Sequence, residues 1–351
     1  MNKFWSSRLE GIKPYVPGEQ PKIVNLIKLN TNENPYPPSP KAIEAVNKLE
    51  PGTFRLYPDP ECSGLVKAIA DCYGVKNEQV FVGNGSDEIL AFAYLAFFDK
   101  GKEIVFADIT YSFYPVYADF FGLDYRQIPL KDDFTFAVDA FCGGNHGVII
   151  ANPNAPTGID MGLENIERIL KANPDVVVIV DEAYVDFGCE TALPLIDKYP
   201  NLLIIRTFSK SRSLAGLRVG YAIGDEKLIE ALNCVKNCIN SYTLDRVALA
   251  AAQAAVEDKA YFEETCGKII ATRDVTVKAL REIGFTVLDS GANFIFAKHE
   301  TVSGTELFKK LREMGIIVRH FSTPRINEWL RITIGTDDEM SALIEGIKKI
   351  I

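Results

Sequence analysis

Residues 176–184 read Val-Val-Val-Ile-Val-Asp-Glu-Ala-Tyr, so five consecutive β-branched apolar residues lead directly into two carboxylates. An uninterrupted apolar run of this length is typical of a strand covered on both faces, as in parallel sheets. A carboxylate at its end, Asp181, is expensive to remove from water unless a cation or a strong hydrogen-bond donor meets it. The run therefore predicts a buried strand with a polar site at its carboxyl end. A cap on the next helix is the alternative role of Asp181.

The order of short apolar strand, polar turn and amphipathic helix recurs around this run, and it predicts a doubly wound α/β domain with a mostly parallel sheet. Further strands are predicted at residues 79–82, 103–107, 147–151, 202–206 and 219–223. The Pro- and Asn-rich residues 29–40 cannot be helical and predict an extended segment.

From about residue 245 the pattern changes to long helices with few strands, which predicts a smaller α+β domain. Strands are expected at 285–288, 293–297, 316–319 and 330–334, and helices at 246–257, 261–283, 304–314 and from Asp337 onward. We expect an N-terminal arm and small-domain segment at 1–40, a large domain at 41–250 and a small domain at 251–351. The length of 351 residues permits two or three domains.

Charge and composition exclude several classes of protein. Hydrophobic residues make up 47% and charged residues 24%, which is ordinary globular usage. The net charge of -9 disfavours nucleic acid and anionic membranes as partners. No apolar run is long enough to be a signal peptide or to span a bilayer, so a cytoplasmic location is expected.

Cysteine and histidine give little support to a metal site. The seven cysteines are odd in number and scattered, so reduced core thiols are expected. Cys234 and Cys238 are spaced as two ligands on one helix face could be, but no further Cys or His lies nearby. His146, His299 and His320 are isolated, which disfavours a zinc centre or a Ser-His-Asp triad.

Ligands of open α/β sheets lie beyond the carboxyl ends of the strands, so the residues after each predicted strand are the candidates. Gly85, Ser86 and Asp87 follow the strand at 79–82. Ser86 is predicted to cap a helix whose free amides can bind phosphate, although the acids Asp87 and Glu88 argue mildly against an anion there. A plain capped helix is the alternative.

The later strand ends add aromatic, amide and basic residues. Tyr111 follows the strand at 103–107 and can stack on a flat ring or simply pack. The loop at 152–158 follows the strand at 147–151 and is predicted to be a rigid loop that offers Asn amides, with a plain turn as the alternative. Lys210 follows the strand at 202–206 among hydroxyls and small residues, with Arg218 eight residues later. A solvated loop lysine is the alternative.

One ligand accounts for the whole set, because pyridoxal 5′-phosphate has a phosphate, an aromatic ring, an acceptor oxygen, a basic ring nitrogen and an aldehyde. We expect the helix start at Ser86, together with Ser209 and Arg218, to bind the phosphate. Tyr111 is expected to cover one face of the ring, and the small Ala183 leaves room on the other face. Asp181 is expected to pair with the ring nitrogen, and Lys210 to form the Schiff base.

The run Thr207-Phe208-Ser209-Lys210-Ser211-Arg212-Ser213-Leu214-Ala215-Gly216 resembles the lysine-site signature of the class II aminotransferases, within the fold type I pyridoxal-phosphate enzymes. Other parts of the chain also match this family. They are the spacing from Lys210 to Arg218, the residues Asp181 to Tyr184 and the tripeptide Pro156-Thr157-Gly158. More narrowly, residues 13–18, 29–35, 55–60, 85–88 and 330–336 resemble the histidinol-phosphate aminotransferase subfamily, over nearly the whole chain.

The resemblance implies a homodimer with active sites at the subunit interface, where Tyr57 reaches the cofactor phosphate of the neighbouring subunit. It also implies that Tyr184 hydrogen-bonds the phenolic oxygen of the cofactor. An asparagine that contacts this oxygen usually precedes Pro-Thr-Gly, but here that residue is Ala155. Asn154 is expected to substitute for it.

Substrate binding is predicted from the strand at 330–334. Period-2 alternation puts Leu330 and Ile332 on one face and Arg331 on the other. The resemblance implies that Arg331 binds the phosphate of histidinol phosphate and a carboxylate of glutamate, with Arg319 and Tyr15 as helpers. A surface salt bridge is the alternative for Arg319.

The implied reaction is transamination of L-histidinol phosphate with 2-oxoglutarate, in which Lys210 also moves the Cα proton. An aromatic amino acid aminotransferase and a threonine-phosphate decarboxylase use the same framework and stay open as alternatives. A cofactor-sensing regulator would need an added DNA-binding module, for which the acidic sequence gives no support.

Overall fold

The computed structural model of the chain describes residues 3–21, 26–144 and 146–351. Within them the strands are β1 (Ile27–Leu29), β2 (Val80–Gly83), β3 (Ile104–Ala107), β4 (Tyr125–Ile128), β5 (Gly147–Ala151), β6 (Val178–Asp181), β7 (Leu202–Thr207), β8 (Gly220–Gly224), β9 (Phe285–Val287), β10 (Phe294–His299), β11 (Ile316–His320) and β12 (Leu330–Thr333). The α-helices are α1 (Pro40–Asn47), α2 (Ser63–Tyr73), α3 (Gly85–Phe97), α4 (Phe113–Phe121), α5 (Leu163–Ala172), α6 (Glu226–Ile239), α7 (Arg246–Glu257), α8 (Lys259–Glu282), α9 (Gly304–Glu313) and α10 (Asp337–Lys348).

Seven strands form the large sheet in the order β2-β8-β7-β6-β5-β3-β4. Strand β8 runs antiparallel to β2 and β7, and the other neighbours are parallel. The predicted mostly parallel α/β sheet is thus confirmed. Strand β4 was not predicted, because Arg126 and Gln127 at this sheet edge are polar and exposed, so the strand carries little apolar signal.

Alternate residues of β6 enter two different apolar layers. Val178 and Val180 pack in the layer that also contains buried residues of α2 and α7, whereas Ile179 packs in the layer of α3, α4 and α6. Both faces of the strand are therefore covered, which is why its apolar run is uninterrupted. The strand begins two residues later than predicted and ends with Asp181 itself.

A second sheet has the order β1-β11-β12-β10-β9. Strand β1 comes from the N-terminal part of the chain and pairs parallel with β11, and the other pairs are antiparallel. Residues 30–39, which follow β1, contain no helix. The segment therefore crosses from the second sheet to the start of α1, and it passes the carboxyl ends of the large sheet on the way.

The apolar core changes between α7 and α8. Ala252 and Val256 of α7 belong to the core of the large sheet, whereas Cys266 and Ile269 of α8 belong to the core of the second sheet. The predicted domain boundary near residue 250 falls inside α7.

The cysteines are less uniformly buried than predicted. All seven are free thiols, but only Cys62 and Cys266 are buried, and Cys72, Cys234 and Cys238 are exposed because they lie on the outer faces of α2 and α6. Across the described ranges, no helix combines the length and the apolar character needed to cross a membrane.

Candidate active site

A cavity of about 630 Å³ lies at the carboxyl ends of the parallel strands, between the large sheet and the second sheet. Most of the residues predicted to bind a cofactor or substrate line it. They are Tyr15, Ser86, Asp87, Tyr111, Asp181, Tyr184, Ser209, Lys210, Arg218, Arg319 and Arg331.

One end of the cavity is built to receive an anion. Ser86 lies in the first turn of α3, whose free amides face this end, and Arg218 approaches from the turn before β8. The guanidinium of Arg218 donates through Nη1 to Ser209 Oγ (3.4 Å) and pairs through Nη2 with Asp87 Oδ2 (3.3 Å). Asp87 thus holds the arginine in place, and the guanidinium offsets the negative charge of Asp87.

Two glycines make this close packing possible. Gly85 has φ +78°, and a Cβ on it would lie 2.7 Å from Arg218 Nη2. A Cβ on Gly220 would lie 2.5 Å from the backbone nitrogen of Ser86. Gly85 therefore shapes the site without lining the cavity, and larger residues at either position would displace the helix start or the arginine.

The predicted capping role of Ser86 is wrong. The helix begins at Gly85, so Asn84 is the N-cap residue, and its side chain makes no capping hydrogen bond. Instead, the backbone N–H of Asn84 donates to Glu88 Oε2 at 2.6 Å. The Ser86 side chain is one residue too late for a cap and lies at the cavity.

Asp181, at the end of β6, is a buried carboxylate held by neutral donors. Tyr114 donates its hydroxyl hydrogen to Oδ2 at 2.8 Å, and the Ala183 amide donates to Oδ1 at 3.2 Å. The pKa of Asp181 is raised from 3.8 to about 6, chiefly by burial and to a smaller extent by the negative charges of Asp87 and Glu182, against the opposing effect of these hydrogen bonds. A cationic N–H group in the cavity would stabilise the charged form of this carboxylate.

Lys210 reaches the middle of the cavity beside Tyr184. Its Nζ donates to the Thr31 carbonyl oxygen (3.2 Å) and lies 5.7 Å from the centre of the Tyr184 ring. Asn32 donates through Nδ2 to the Tyr184 hydroxyl at 2.9 Å. Asn32 is in turn held in a left-handed conformation (φ 56°) by its contacts with Thr333 of β12. The segment after β1 therefore supplies part of the site.

Tyr111 lines the cavity next to the anion-binding end. Its hydroxyl donates to Asp87 Oδ1 at 2.8 Å, and its ring makes an edge contact with Tyr114 at 5.6 Å. Burial, followed by the charge of Asp87, raises the pKa of Tyr111, so the phenol stays protonated and keeps donating. Asp87 therefore joins the aromatic wall to Arg218.

Two arginines of the second sheet face the opposite end. Arg331 of β12 and Arg319 of β11 are directly paired across the strands. The Arg331 guanidinium donates to the Asn30 carbonyl oxygen at 2.8 Å, but its buried Nε has no hydrogen-bond partner. Burial lowers the pKa of Arg331, and so does Arg319. No described carboxylate forms an ion pair with either arginine, so the positive charge at this end of the cavity is free to pair with an anion.

Tyr15 stacks on Phe113 at 4.5 Å beside this second anion-binding end. Burial raises the pKa of its hydroxyl, an effect that the charges of Arg331 and Arg319 oppose. Tyr15 thus remains a neutral donor near the two cations.

Asn154 and Tyr57 lie outside the cavity. Asn154 is fully buried, and its side-chain amide is already bonded to Ile109 O (2.9 Å), Thr157 Oγ1 (3.0 Å) and Thr110 Oγ1 (2.8 Å). These bonds hold the Asn154 amide inside its own loop, and its role as a substitute for the missing asparagine stays a prediction. Tyr57 is 77% exposed and stacks on Tyr242 at 4.6 Å.

Sequence reasoning did not assign Tyr114, Asn32 or Thr31 to the site. Tyr114 lies inside an apolar helix and has no local signal. Asn32 and Thr31 belong to the Asn-rich run at 29–35, which carried the resemblance but gave no reason to place a side chain at the cavity.

The described residues fit pyridoxal 5′-phosphate. Arg218, Ser209 and the start of α3 match its phosphate, the buried Asp181 matches its ring nitrogen, and Lys210 matches its aldehyde. Arg331, whose guanidinium has no carboxylate partner among the described residues, lies outside this set.

Comparisons with known proteins agree with this geometry. The family described as aminotransferase class I and II matches residues 24–347. A histidinol-phosphate aminotransferase from Clostridium acetobutylicum is 56% identical over 351 residues, covering 100% of both chains. One from Acinetobacter baylyi is 57% identical over 352 residues, covering 99% of this chain and 98% of that one.

A solved structure extends the likeness to three dimensions. Histidinol-phosphate aminotransferase from Sinorhizobium meliloti, in complex with pyridoxal-5′-phosphate, matches with a TM-score of 0.84 at 25% identity, covering 93% of this chain and 92% of that chain. An aspartate aminotransferase mutant from Thermus thermophilus matches with a TM-score of 0.83 at 18% identity, over 99% of this chain and 100% of that chain, and shows the fold alone. The chain therefore belongs to the class I and II aminotransferases and has their fold type I architecture.

Proposed function

We propose that this protein catalyses the reversible transamination of L-histidinol phosphate with 2-oxoglutarate, giving imidazole acetol phosphate and L-glutamate, a step of histidine biosynthesis. Pyridoxal 5′-phosphate is its cofactor. The observation that carries the proposal is that Lys210, Asp181 and Arg331, an arginine with no ion-pair partner among the described residues, face one cavity. Full-length relatives at 56% and 57% identity, both named histidinol-phosphate aminotransferase, support the choice of substrate.

The cofactor, when bound, supplies an aldehyde that condenses with amines and a protonated ring that withdraws electrons from the substrate α-carbon. Asp181 holds the proton on the ring nitrogen through its carboxylate. Arg218 and Ser209 bind the cofactor phosphate, together with the amides and side chain of Ser86. Tyr111 covers the ring, and Tyr184, oriented by Asn32, donates to the phenolic oxygen.

Lys210 performs the proton transfer. With the cofactor bound, the Lys210 amine would accept the proton from the substrate α-carbon and then donate it again, so that it gains and loses one proton in each half-reaction. The nearby Thr31 carbonyl oxygen, 3.2 Å from Nζ, holds the amine when it is free. The amino group then passes to 2-oxoglutarate by the same steps in reverse.

The two anion-binding ends explain why a phosphorylated substrate fits. A bound cofactor fills the end formed by Arg218, so the phosphate of histidinol phosphate needs a second cationic position. Arg331, with Arg319 and Tyr15 beside it, offers that position. The same guanidinium binds a carboxylate of glutamate in the other half-reaction, since a planar fork suits both anions.

A homodimer located in the cytoplasm completes the proposal. Tyr57 lies at the surface, 77% exposed and outside the cavity of its own chain. Large apolar side chains near it, Phe54 and Leu56, are also exposed. A second copy of the chain that covers this surface would bring Tyr57 to the cofactor phosphate of the other subunit.

The decisive experiment offers the purified enzyme L-histidinol phosphate, L-threonine phosphate and an aromatic amino acid in parallel, each with 2-oxoglutarate. We expect glutamate to form fastest with histidinol phosphate and no carbon dioxide to be released from threonine phosphate. The sequence relatives do not favour either alternative reaction. Preferred turnover of another substrate, or full activity in Lys210→Ala, would refute the proposal.

A further inference from the structure

Behind the cavity, a buried arginine connects the two strands that carry the main groups of the site. Arg206 of β7 and Glu182, directly after Asp181, are both buried and lie outside the lining of the cavity. The guanidinium contacts Glu182 Oε2 through Nε at 2.9 Å and through Nη2 at 2.7 Å. Thr191 Oγ1 and the Ala192 amide also donate to the Glu182 carboxylate.

The third nitrogen of the same guanidinium points toward the lysine segment. Arg206 Nη1 lies 3.6 Å from Asp186 Oδ1. The other oxygen of Asp186 accepts a hydrogen bond of 2.6 Å from the hydroxyl of Ser211, the residue next to Lys210. Polar contacts therefore connect the neighbour of Asp181 to the neighbour of Lys210, through an ion pair at 3.6 Å and a hydrogen bond at 2.6 Å.

Stability alone is a weak reason for this arrangement. Burying an ion pair removes both charges from water, and well-packed apolar residues are often as stabilising. Apolar residues make no directional contacts, whereas this guanidinium forms directional hydrogen bonds to Glu182 and Thr191 and an ion pair to Asp186. Tyr73, whose ring lies 4.9 Å from the guanidinium, restricts the side chain further.

We propose that Arg206 is a positioning residue: through Glu182 and through Asp186 with Ser211, it sets the position of Lys210 relative to Asp181. The inference rests on the proposed function, since it assumes that both groups act on one cofactor. A proton transfer between fixed carbons is sensitive to displacement of the amine, and a shift of about 1 Å can reduce turnover about a hundredfold.

Ser211→Ala tests the link while leaving the ion pair of Arg206 intact. We expect kcat to fall by about tenfold to a hundredfold, as for a misplaced catalytic group, with KM unchanged. The visible circular dichroism per bound cofactor, which reports how the cofactor sits in its site, should fall as well. Ser211→Thr keeps the hydroxyl and should restore both quantities.

Thr272→Val is the matched control. It removes another hydroxyl that donates to an aspartate at 2.6 Å, the bond from Thr272 to Asp337 between α8 and α10. Its melting temperature should fall while kcat and the dichroism stay at the parental values. Arg206→Lys, which retains the charge but loses the fork, should behave like Ser211→Ala with a lower melting temperature.

Three results separate the possible failures. An active parent with Ser211→Ala or Arg206→Lys at parental kcat and dichroism overturns this inference alone. Variants that lose thermal stability but keep parental kcat and dichroism overturn it as well. A parent that binds no pyridoxal 5′-phosphate, or that does not transaminate, overturns the proposed function and this inference with it.

Discussion

Tyr114 donates a hydrogen bond from its hydroxyl to Oδ2 of Asp181 across 2.8 Å, and both side chains are buried. Asp181 would otherwise face the cavity with only one further donor, the Ala183 amide. The hydrogen bond lowers the pKa of Asp181, whereas burial raises it to about 6. The tyrosine therefore keeps the carboxylate charged near neutral pH, in the form that a protonated ring nitrogen requires.

Tyr114→Phe should weaken cofactor binding in a pH-dependent way. A buried hydrogen bond to a charged group contributes roughly 1.5 to 3 kcal/mol, so its loss should raise the pKa of Asp181 by at least about one unit. Because Asp181 then ionises at a higher pH, the variant should need a higher pH than the parent to reach its lowest cofactor Kd. Tyr94→Phe removes a buried hydroxyl bonded only to the Tyr114 carbonyl oxygen and is the control. Overlapping curves for Tyr114→Phe and the parent would show that Tyr114 does not affect the ionisation of Asp181.

Asp181→Asn should stabilise the protein without cofactor while reducing activity. The folded-state pKa of about 6 exceeds the ordinary 3.8, so the folded chain holds a proton that the unfolded chain loses over this range. Ionisation of Asp181 therefore destabilises the fold as pH rises from 4 to 6, by at most about 3 kcal/mol. The melting temperature of the cofactor-free variant should exceed that of the parent at pH 7.5 and equal it below pH 4.

With cofactor bound, the activation free energy of turnover should rise in the same variant by more than roughly 1.5 to 3 kcal/mol, because the ring nitrogen loses its charged partner. Steady-state kcat under saturating cofactor measures this. Parental turnover in Asp181→Asn would reduce the residue to a structural cap.

Arg331→Lys should raise KM for both histidinol phosphate and glutamate, because both take turns at the same guanidinium and lysine offers only a point charge. The absorbance of bound cofactor should not change, since Arg331 lies outside the cofactor-binding residues. Dephosphorylated histidinol should be a poor substrate of the parent and should lose little more in the variant. Arg312→Lys, at a half-exposed pair with Glu19, is the control. An effect on glutamate alone would place the substrate phosphate elsewhere.

Tyr57 should complement in trans. Mixed dimers of inactive Tyr57→Ala and Lys210→Ala chains contain one site with both residues intact, so mixing should restore part of the activity. Subunit exchange is verified separately with differently tagged chains. Mixtures that exchange but stay inactive would show that Tyr57 does not serve the partner's site.

Substitution of Asn32, but not of Asn154, should change the absorbance of the bound cofactor. Asn32→Asp removes the amide that donates to the Tyr184 hydroxyl, yet tolerates the left-handed backbone at φ 56°. We expect an altered absorbance of bound cofactor and a lower kcat. Asn154→Ala should lower the melting temperature instead, because it leaves the Thr110 hydroxyl and the Ile109 carbonyl oxygen without their partner. If Asn154→Ala changed the cofactor absorbance and Asn32→Asp did not, Asn154 would be the residue that contacts the cofactor.

The residues that sequence alone located share one property: each follows directly from a local pattern. Asp181 and Lys210 come at the ends of apolar runs, and parallel strands bring such ends to one edge of a sheet. Arg331 was oriented by period-2 alternation, with Leu330 and Ile332 in the core of the second sheet. Such information lies within a few residues of the chain, so it needs no knowledge of distant contacts.

The tertiary structure alone decided the contacts between distant segments. Tyr114 meets Asp181 only because α4 packs against the large sheet, and Asn32 meets Tyr184 only because β1 joins the second sheet beside β11. The three-residue strand β1 and the polar edge strand β4 carry too little periodicity to be predicted. Hydrogen bonds within the loop of Asn154, which the sequence does not reveal, determine where its amide points. The sequence thus determined which chemical groups stand at the strand ends, and long-range packing determined which of them meet.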